Sequence, residues 1–124
     1  MNQAKLDKIL EEHKEWLRTN GEKGKRADLR YADLSYADLS SANLRYADLD
    51  YSSFPLWCGS LDVHIDDKQA TQLLYHLVRN VEFSKNTSKA LKKICRIKSL
   101  IKQANKFHRV NECGKLKELV GDDK

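Results

Sequence analysis

Ala27-Asp-Leu-Arg-Tyr31, Ala32-Asp-Leu-Ser-Tyr36, Ala37-Asp-Leu-Ser-Ser41, Ala42-Asn-Leu-Arg-Tyr46 and Ala47-Asp-Leu-Asp-Tyr51 follow one another without a gap, and a degenerate sixth phrase, Ser52-Ser-Phe-Pro-Leu56, closes the run. A period of five matches neither the 3.6 of a helix nor the 2.0 of a strand. Tandem repeats this short imply a solenoid, in which each unit buries its apolar side only against its neighbours. One Ala and one Leu per phrase would fill a narrow interior column without voids.

The phrase, a small residue, Asp or Asn, Leu or Phe, then two variable positions, resembles the pentapeptide-repeat family. That resemblance implies an α+β fold: a right-handed quadrilateral β-helix, one phrase per side, with the small residue and the Leu or Phe turned inward. Ala27, Ala32, Ala37, Ala42, Ala47 and Ser52 would then line the interior beside Leu29, Leu34, Leu39, Leu44, Leu49 and Phe54. Each residue would stack on the one a full coil later, placing Tyr31 on Tyr51, Arg30 on Asp50, and Asp28 on Asp48 as a like-charge rung. Six phrases make only about one and a half coils, so both open ends need caps.

The flanking sequence supplies candidates for those caps. Leu6, Ile9, Leu10, Trp16 and Leu17 recur at helical spacing and Asn20-Gly21 is a stop signal, so 1–26 reads as a capping helix with a lead-in. The repeat coil spans 27–56. From 57 to 124 comes a cap strand, Leu61 to Ile65, and a helical region. Pro55 ends the repeat because it lacks an amide proton. Asp66 is the expected N-cap, with Gln69 completing a capping box, of a helix whose stripe is Ala70, Leu73, Leu74, Leu77, Val78 and Val81. A further helix is predicted from about Lys89 to His108 with Ile94, Ile97, Ile101 and Ala104 on its core face. Leu116, Leu119 and Val120 would make a last turn. Trp16 and Trp57 would plug the two ends of the coil.

Charge divides along the chain. The whole sequence carries +5, yet residues 27–51 hold five Asp against two Arg, net −3, while 84–117 hold eleven Lys or Arg against one Glu, net +10. On the predicted helix Lys98, Lys102, Lys106 and Arg109 share one side, and Lys85, Lys89, Lys92, Lys93 and Arg96 the other. Such a surface attracts polyanions in a salt-sensitive manner, or simply keeps a small protein in solution.

Chemistry-bearing motifs are sparse. Cys58, His64, Cys95, His108 and Cys113 show no zinc-site spacing, so no metal is expected. His13 and His76 read as structural or surface residues rather than acid/base catalysts. No nucleophile elbow and no glycine-rich phosphate loop occur, so neither an enzyme nor a cofactor site is expected. No apolar run is long enough to span a membrane, and the charged first fifteen residues do not resemble a secretion signal. Three cysteines without paired spacing agree with a reducing compartment, the cytoplasm of a bacterial host cell.

Two functional readings stand. In the first, the protein is a non-catalytic interaction partner carried by a phage or mobile element. It would inhibit a bacterial nucleic-acid-processing enzyme or defence complex, such as a CRISPR effector or other nuclease, through Asp28, Asp33, Asp38, Asp48, Tyr31, Tyr36, Tyr46 and Tyr51. Long acidic members of the resembling family mimic duplex DNA, but this repeat is short and the chain is basic. In the second, Lys92, Arg96, Lys98, Lys102, Lys106 and Arg109 bind nucleic acid or an acidic surface, with the coil as platform. Homodimerisation through an open coil end near Phe54 is a third arrangement to test.

Overall fold

The computed structural model of the protein describes residues 1–118. The chain divides into two compact units, Met1–Asp66 and Asp67–Lys124.

The first unit is made of linked turns. In each phrase the Leu carbonyl accepts from the amide three residues on: Ala32 from Leu29 at 3.1 Å, Ala37 from Leu34 at 3.0 Å, Ala42 from Leu39 at 2.9 Å, Ala47 from Leu44 at 2.9 Å and Ser52 from Leu49 at 3.1 Å. The third residue of four of these turns has positive φ: Tyr31 at 64°, Ser41 at 63°, Tyr46 at 68° and Tyr51 at 63°. That is the signature of a type II turn, which L-residues enter at a cost. The Asp or Asn of each phrase helps to offset it. Asp28, Asp33, Asp38, Asn43 and Asp48 each accept, on a side-chain oxygen, the amide proton two residues later. This Asx bond explains why the phrase demands Asp or Asn before Leu.

Turns that use two of every five residues leave too few consecutive extended residues for strands to form. The expected α+β fold with a quadrilateral β-helix is therefore corrected: among the described residues every regular element is helical, and there is no β-strand or sheet. Successive coils touch through three isolated parallel bridges, Asp28 with Asp48, Asp33 with Ser53 and Asn43 with His64. Single backbone bonds fill in between, such as Leu29 N–H to Asp48 O at 2.9 Å and Leu34 N–H to Ser53 O at 3.1 Å. The first two bridges join residues twenty apart. The third spans twenty-one, because the single-turn helix Cys58–Ser60 adds a residue after Pro55. Leu61 to Ile65, expected as a cap strand, continues this coil instead, and Asp62 repeats the positive φ at 58°.

Inside the coil Leu29, Leu34, Leu39 and Leu44 are fully buried, and Ala27, Ala37, Ala47 and Leu49 nearly so. Ala32, Ala42, Phe54 and Val63 pack against them partly buried. Helix α1, Gln3–Arg18, closes the first edge of the coil. Its N-cap is Asn2, whose side chain accepts from Lys5 N–H at 2.8 Å. Leu6, Ile9 and Leu10 bury apolar area against the coil, and two polar side chains answer the edge's backbone groups. Gln3 donates from Nε2 to Asp38 O at 3.0 Å and accepts Asp38 N–H on Oε1 at 2.9 Å. His13 accepts Ala27 N–H on Nδ1 at 3.0 Å and lies with Nε2 2.8 Å from Arg45 O. Those partners fix the neutral tautomer with the proton on Nε2. Burial is the main cause lowering the His13 pKa, and nearby Arg26 acts the same way against the opposing Arg45 carbonyl. Trp16 stacks on His13 with centroids 5.8 Å apart. Trp57 is no plug: it lies half exposed on the outside, its Nε1 donating to Ala37 O at 3.0 Å. Gly59 is required beneath that indole, since a Cβ there would stand 2.3 Å from Trp57 Cζ2.

The second unit packs α2, Asp67–Phe83, against α3, Lys89–Cys95, and α4, Lys98–Ala104. A four-residue helix, α5, Val110–Cys113, follows. The predicted α2 stripe is rotated: Gln69, Thr71, Tyr75, Val78 and Val81 are buried, whereas Ala70, Leu73 and Leu77 are exposed. Tyr75 draws that face inward by stacking on Phe107 at 4.7 Å, and Thr71 Oγ1 accepts from Gln103 at 3.0 Å. The long predicted helix is broken at Arg96 and Ile97, where ψ changes from 1° to 128°. Cys95 and Ile101 both enter the core with Val78 and Val81. Six residues apart, they would point about 120° from each other on one continuous helix. The break brings both inward and leaves Ile94 and Ile97, expected in the core, exposed. Leu116 is held by Asn105, which donates to its carbonyl at 2.9 Å and accepts its amide at 2.7 Å. Leu119 and Val120 lie outside the described residues.

Candidate partner-binding surfaces

The outer wall of the coil takes its shape from the same turns. Tyr31 and Tyr51 occupy equivalent left-handed positions one coil apart and stack with centroids 4.8 Å apart and planes 7° from parallel. Tyr36 projects furthest, at 94% exposure, and Tyr46 meets the edge of Trp16 at 6.5 Å. All four rings face outward with more than half of their surface accessible. A side chain with only two rotatable torsions, set on a hydrogen-bonded turn, loses little entropy on contact.

The carboxylates are less available than their exposure suggests. Arg30 forks onto Asp28, with Nε and Nη2 both at 2.9 Å, and its Nε lies 3.8 Å from Asp48. The expected like-charge rung is thus neutralised from within the chain by Arg30, which pairs with both of its carboxylates. Asp50 is buried, its amide bonded to Asp48. Bonds from the Arg30 side chain and backbone hold Asp28 at about 2. Asp33 is likewise held at about 2, by the Ser35 hydroxyl and amide and by the Ser53 hydroxyl. Ser40 lowers Asp38 in the same way. The carboxylates stay ionised at any physiological pH, but each has one oxygen engaged in building its own turn.

Residues 25–55 match the family model for pentapeptide repeats (8 copies). That stretch of the chain is made of pentapeptide repeats. No curated protein and no solved structure matches the chain.

Outside the repeats, the basic C-terminal side chains fall into two groups. Lys92 Nζ donates to the carbonyls of Val81 at 2.9 Å, Glu82 at 3.1 Å and Ser84 at 2.5 Å, and so caps the C-terminal end of α2. Arg96 forks onto Glu82 at 2.9 and 2.7 Å, lowering that carboxyl's pKa. Arg109 forks onto Glu112, three residues on, at 2.7 and 3.0 Å. These three of the six predicted binding residues do structural work. Lys98 and Lys102 on α4, and Lys106 just beyond it, are exposed. The helix break divides the two basic flanks predicted on one long helix between α3 and α4. Glu112 sits at i+3 spacing from Arg109, so that pair was visible in the sequence. The Lys92 cap and the Arg96–Glu82 pair, fourteen residues apart, follow only from how α3 meets α2.

Among the described residues no three His, Cys, Asp or Glu side chains converge as metal ligands, and no helix is long and apolar enough to cross a membrane. Cys58, Cys95 and Cys113 are free thiols.

Proposed function

We propose that this chain is a non-catalytic interaction protein that recognises a protein or ribonucleoprotein partner through the tyrosine wall of its repeat coil. The observation that carries this is the placement of Tyr31, Tyr36, Tyr46 and Tyr51: large, amphipathic and exposed, on turns that backbone and Asx bonds hold in place. Tyrosine anchors of this kind dominate protein interfaces. The Asp33 and Asp38 carboxylates are ionised and accept their turn bonds on one oxygen each, and that charge favours a partner offering Arg or Lys opposite the wall. A basic groove that ordinarily holds nucleic acid has that chemistry. The finer proposal is therefore inhibition, by occlusion, of a bacterial nucleic-acid-processing enzyme or defence complex, with the gene carried by a phage or mobile element.

The second reading, nucleic acid held by the C-terminal helices, keeps Lys98, Lys102 and Lys106 as its contacts. It is the weaker reading because Lys92, Arg96 and Arg109 are committed elsewhere. One experiment separates the two. The full chain is immobilised, exposed to bacterial lysate, and compared with a Tyr31→Ala/Tyr36→Ala/Tyr51→Ala variant and a Lys98→Glu/Lys102→Glu/Lys106→Glu variant. A specific partner lost only with the tyrosine variant supports the wall. Loss only with the lysine variant, together with a salt-sensitive shift of labelled DNA or RNA, replaces it with the second reading.

A further inference from the structure

The second unit has a cavity of about 320 Å³, open to solvent on one side, that the tyrosine wall does not involve. Val78, Cys95, Ile101 and Leu116 are its apolar lining, and Arg79, Arg96, Lys115, Lys117 and Glu82 are its charged lining. We propose that this cavity binds a small amphiphilic carboxylate, its alkyl chain over Leu116 and the accessible edges of Cys95 and Ile101 and its head group at the Lys115 and Lys117 end.

The volume is at the lower end of the range seen for ligand pockets, so a short-chain ligand is the appropriate size. The segment at Gly114 to Leu116 forms one side of the cavity and is anchored from both ends. Arg79 donates to the Tyr75 hydroxyl at 2.8 Å and to the Cys113 carbonyl, Tyr75 donates to Gly114 O, and Asn105 clamps the Leu116 backbone. That side of the cavity is therefore held in place by side chains of α2 and by Asn105. Its charge is asymmetric, four cations against one carboxylate, and that carboxylate already belongs to Arg96. The net field at the lining is positive, which selects an anion over a cation of equal size. Burial pushes the Cys95 thiol pKa up, with Glu82 adding to the effect. The thiol accordingly stays protonated and behaves as a small apolar group, which sets aside a nucleophilic role for it.

The test uses the full chain in two-dimensional amide NMR titrations with four probes: octanoate, octylammonium, 1-octanol and acetate. Octanoate is expected to shift the amides of Val78, Cys95, Ile101 and Leu116 saturably. Octylammonium and acetate should bind about tenfold or more weakly, since one lacks the charge complement and the other the apolar body. Lys115→Glu/Lys117→Glu should weaken octanoate about tenfold and leave 1-octanol unchanged. Cys95→Met, which fills part of the chamber with a flexible thioether, should weaken octanoate and 1-octanol together. If that variant fails to fold, the surface lysine variant alone still decides the matter. The proposal is overturned by any one of three results: no saturable octanoate shifts at these amides, octylammonium binding as well as octanoate, or octanoate affinity indifferent to the lysine changes.

Discussion

The two units satisfy their polar groups in opposite ways. In the repeat coil the bonds recur with the repeat: each Asp or Asn bonds the amide two residues on, each Leu carbonyl the amide three residues on, and backbone bonds such as Leu29 N–H to Asp48 O join one coil to the next at a regular interval. In the helical unit the decisive bonds are long-range: Lys92 to carbonyls eight to eleven residues away, Arg96 to Glu82, Asn105 to Leu116, and Gln103 to Thr71 across 32 positions. A short repeat can encode its own hydrogen bonds, whereas a helical unit with one of each contact must find them by folding. The coil pays for that locality at its edges, where α1 lends Gln3 and His13 to amides and carbonyls that no further coil would otherwise meet.

This contrast can be broken most sharply inside the column. Leu34→Asp would place a charge where the side chain is wholly enclosed in the apolar cluster. The expected result is loss of the folded first unit, at a cost of several kcal/mol or more, comparable to the total stability of a small domain. Both tryptophans, Trp16 and Trp57, belong to that unit, so indole fluorescence reports it alone. Native-like emission from Leu34→Asp would show that the column tolerates a charge and that the inward assignment is mistaken.

Next in size is the lid. His13→Leu preserves bulk but leaves Ala27 N–H and Arg45 C=O without their partners, an expected loss of about 2 to 4 kcal/mol. The same imidazole predicts a pH dependence. Its folded pKa lies below the ordinary 6.5, so the unfolded chain binds the extra proton first. Stability is then full above about pH 6.5 and falls as the pH drops below it. The fluorescence-detected thermal midpoint should decline between pH 7.5 and 5, and His13→Leu should flatten that decline. A variant retaining the wild-type slope would place the titrating group elsewhere.

How much of this was legible in the sequence follows the same division. The resemblance carried by the five phrases announced the inward Ala and Leu positions and the stacking of Tyr31 on Tyr51, because it implies one phrase per side of the coil. They did not announce that strands would be absent: the type II turn at Tyr31, Tyr46 and Tyr51 consumes residues that a ladder needs, and φ is not written in a repeat pattern. Nor did they reveal that the carboxylates serve the turns before any partner. In the helical unit Ile94 and Ile97 continued a clean apolar stripe, yet the chain breaks there because Cys95 and Ile101 bury more effectively on two short helices. The lysines and arginines looked alike in one dimension. Only packing separates Lys92, which caps a helix, from Lys98 and Lys102, which stay in solvent.

A test on the helical side is Lys92→Met. The variant keeps the aliphatic stem and removes an ammonium shared by three carbonyls, so a loss of about 1 to 2 kcal/mol is expected. Far-UV circular dichroism should register the earlier melting of helix while tryptophan emission holds its own midpoint. A shift of equal size in both signals would mean that the two units do not melt separately.

The smallest effect is expected at Arg30, where the coil's own logic predicts redundancy. Arg30→Ala removes the guanidinium from Asp28 and Asp48, but the backbone amide at position 30 still bonds the Asp28 carboxylate, as an Asx turn requires. The pair is solvent-exposed, so the thermal midpoint at neutral pH should scarcely move. The change should appear instead in acid. Asp28 titrates at about 2 instead of 3.8, and a depressed carboxyl contributes stability that is present above about pH 4 and lost as the pH falls toward 2. Without Arg30 the carboxyl, followed by NMR, should titrate at higher pH, yet stay below 3.8 because the turn amide remains. A complete return to 3.8 would mean that the arginine, and not the turn, holds the aspartate. The local economy that distinguishes the coil from the helical unit would then fail at its first repeat.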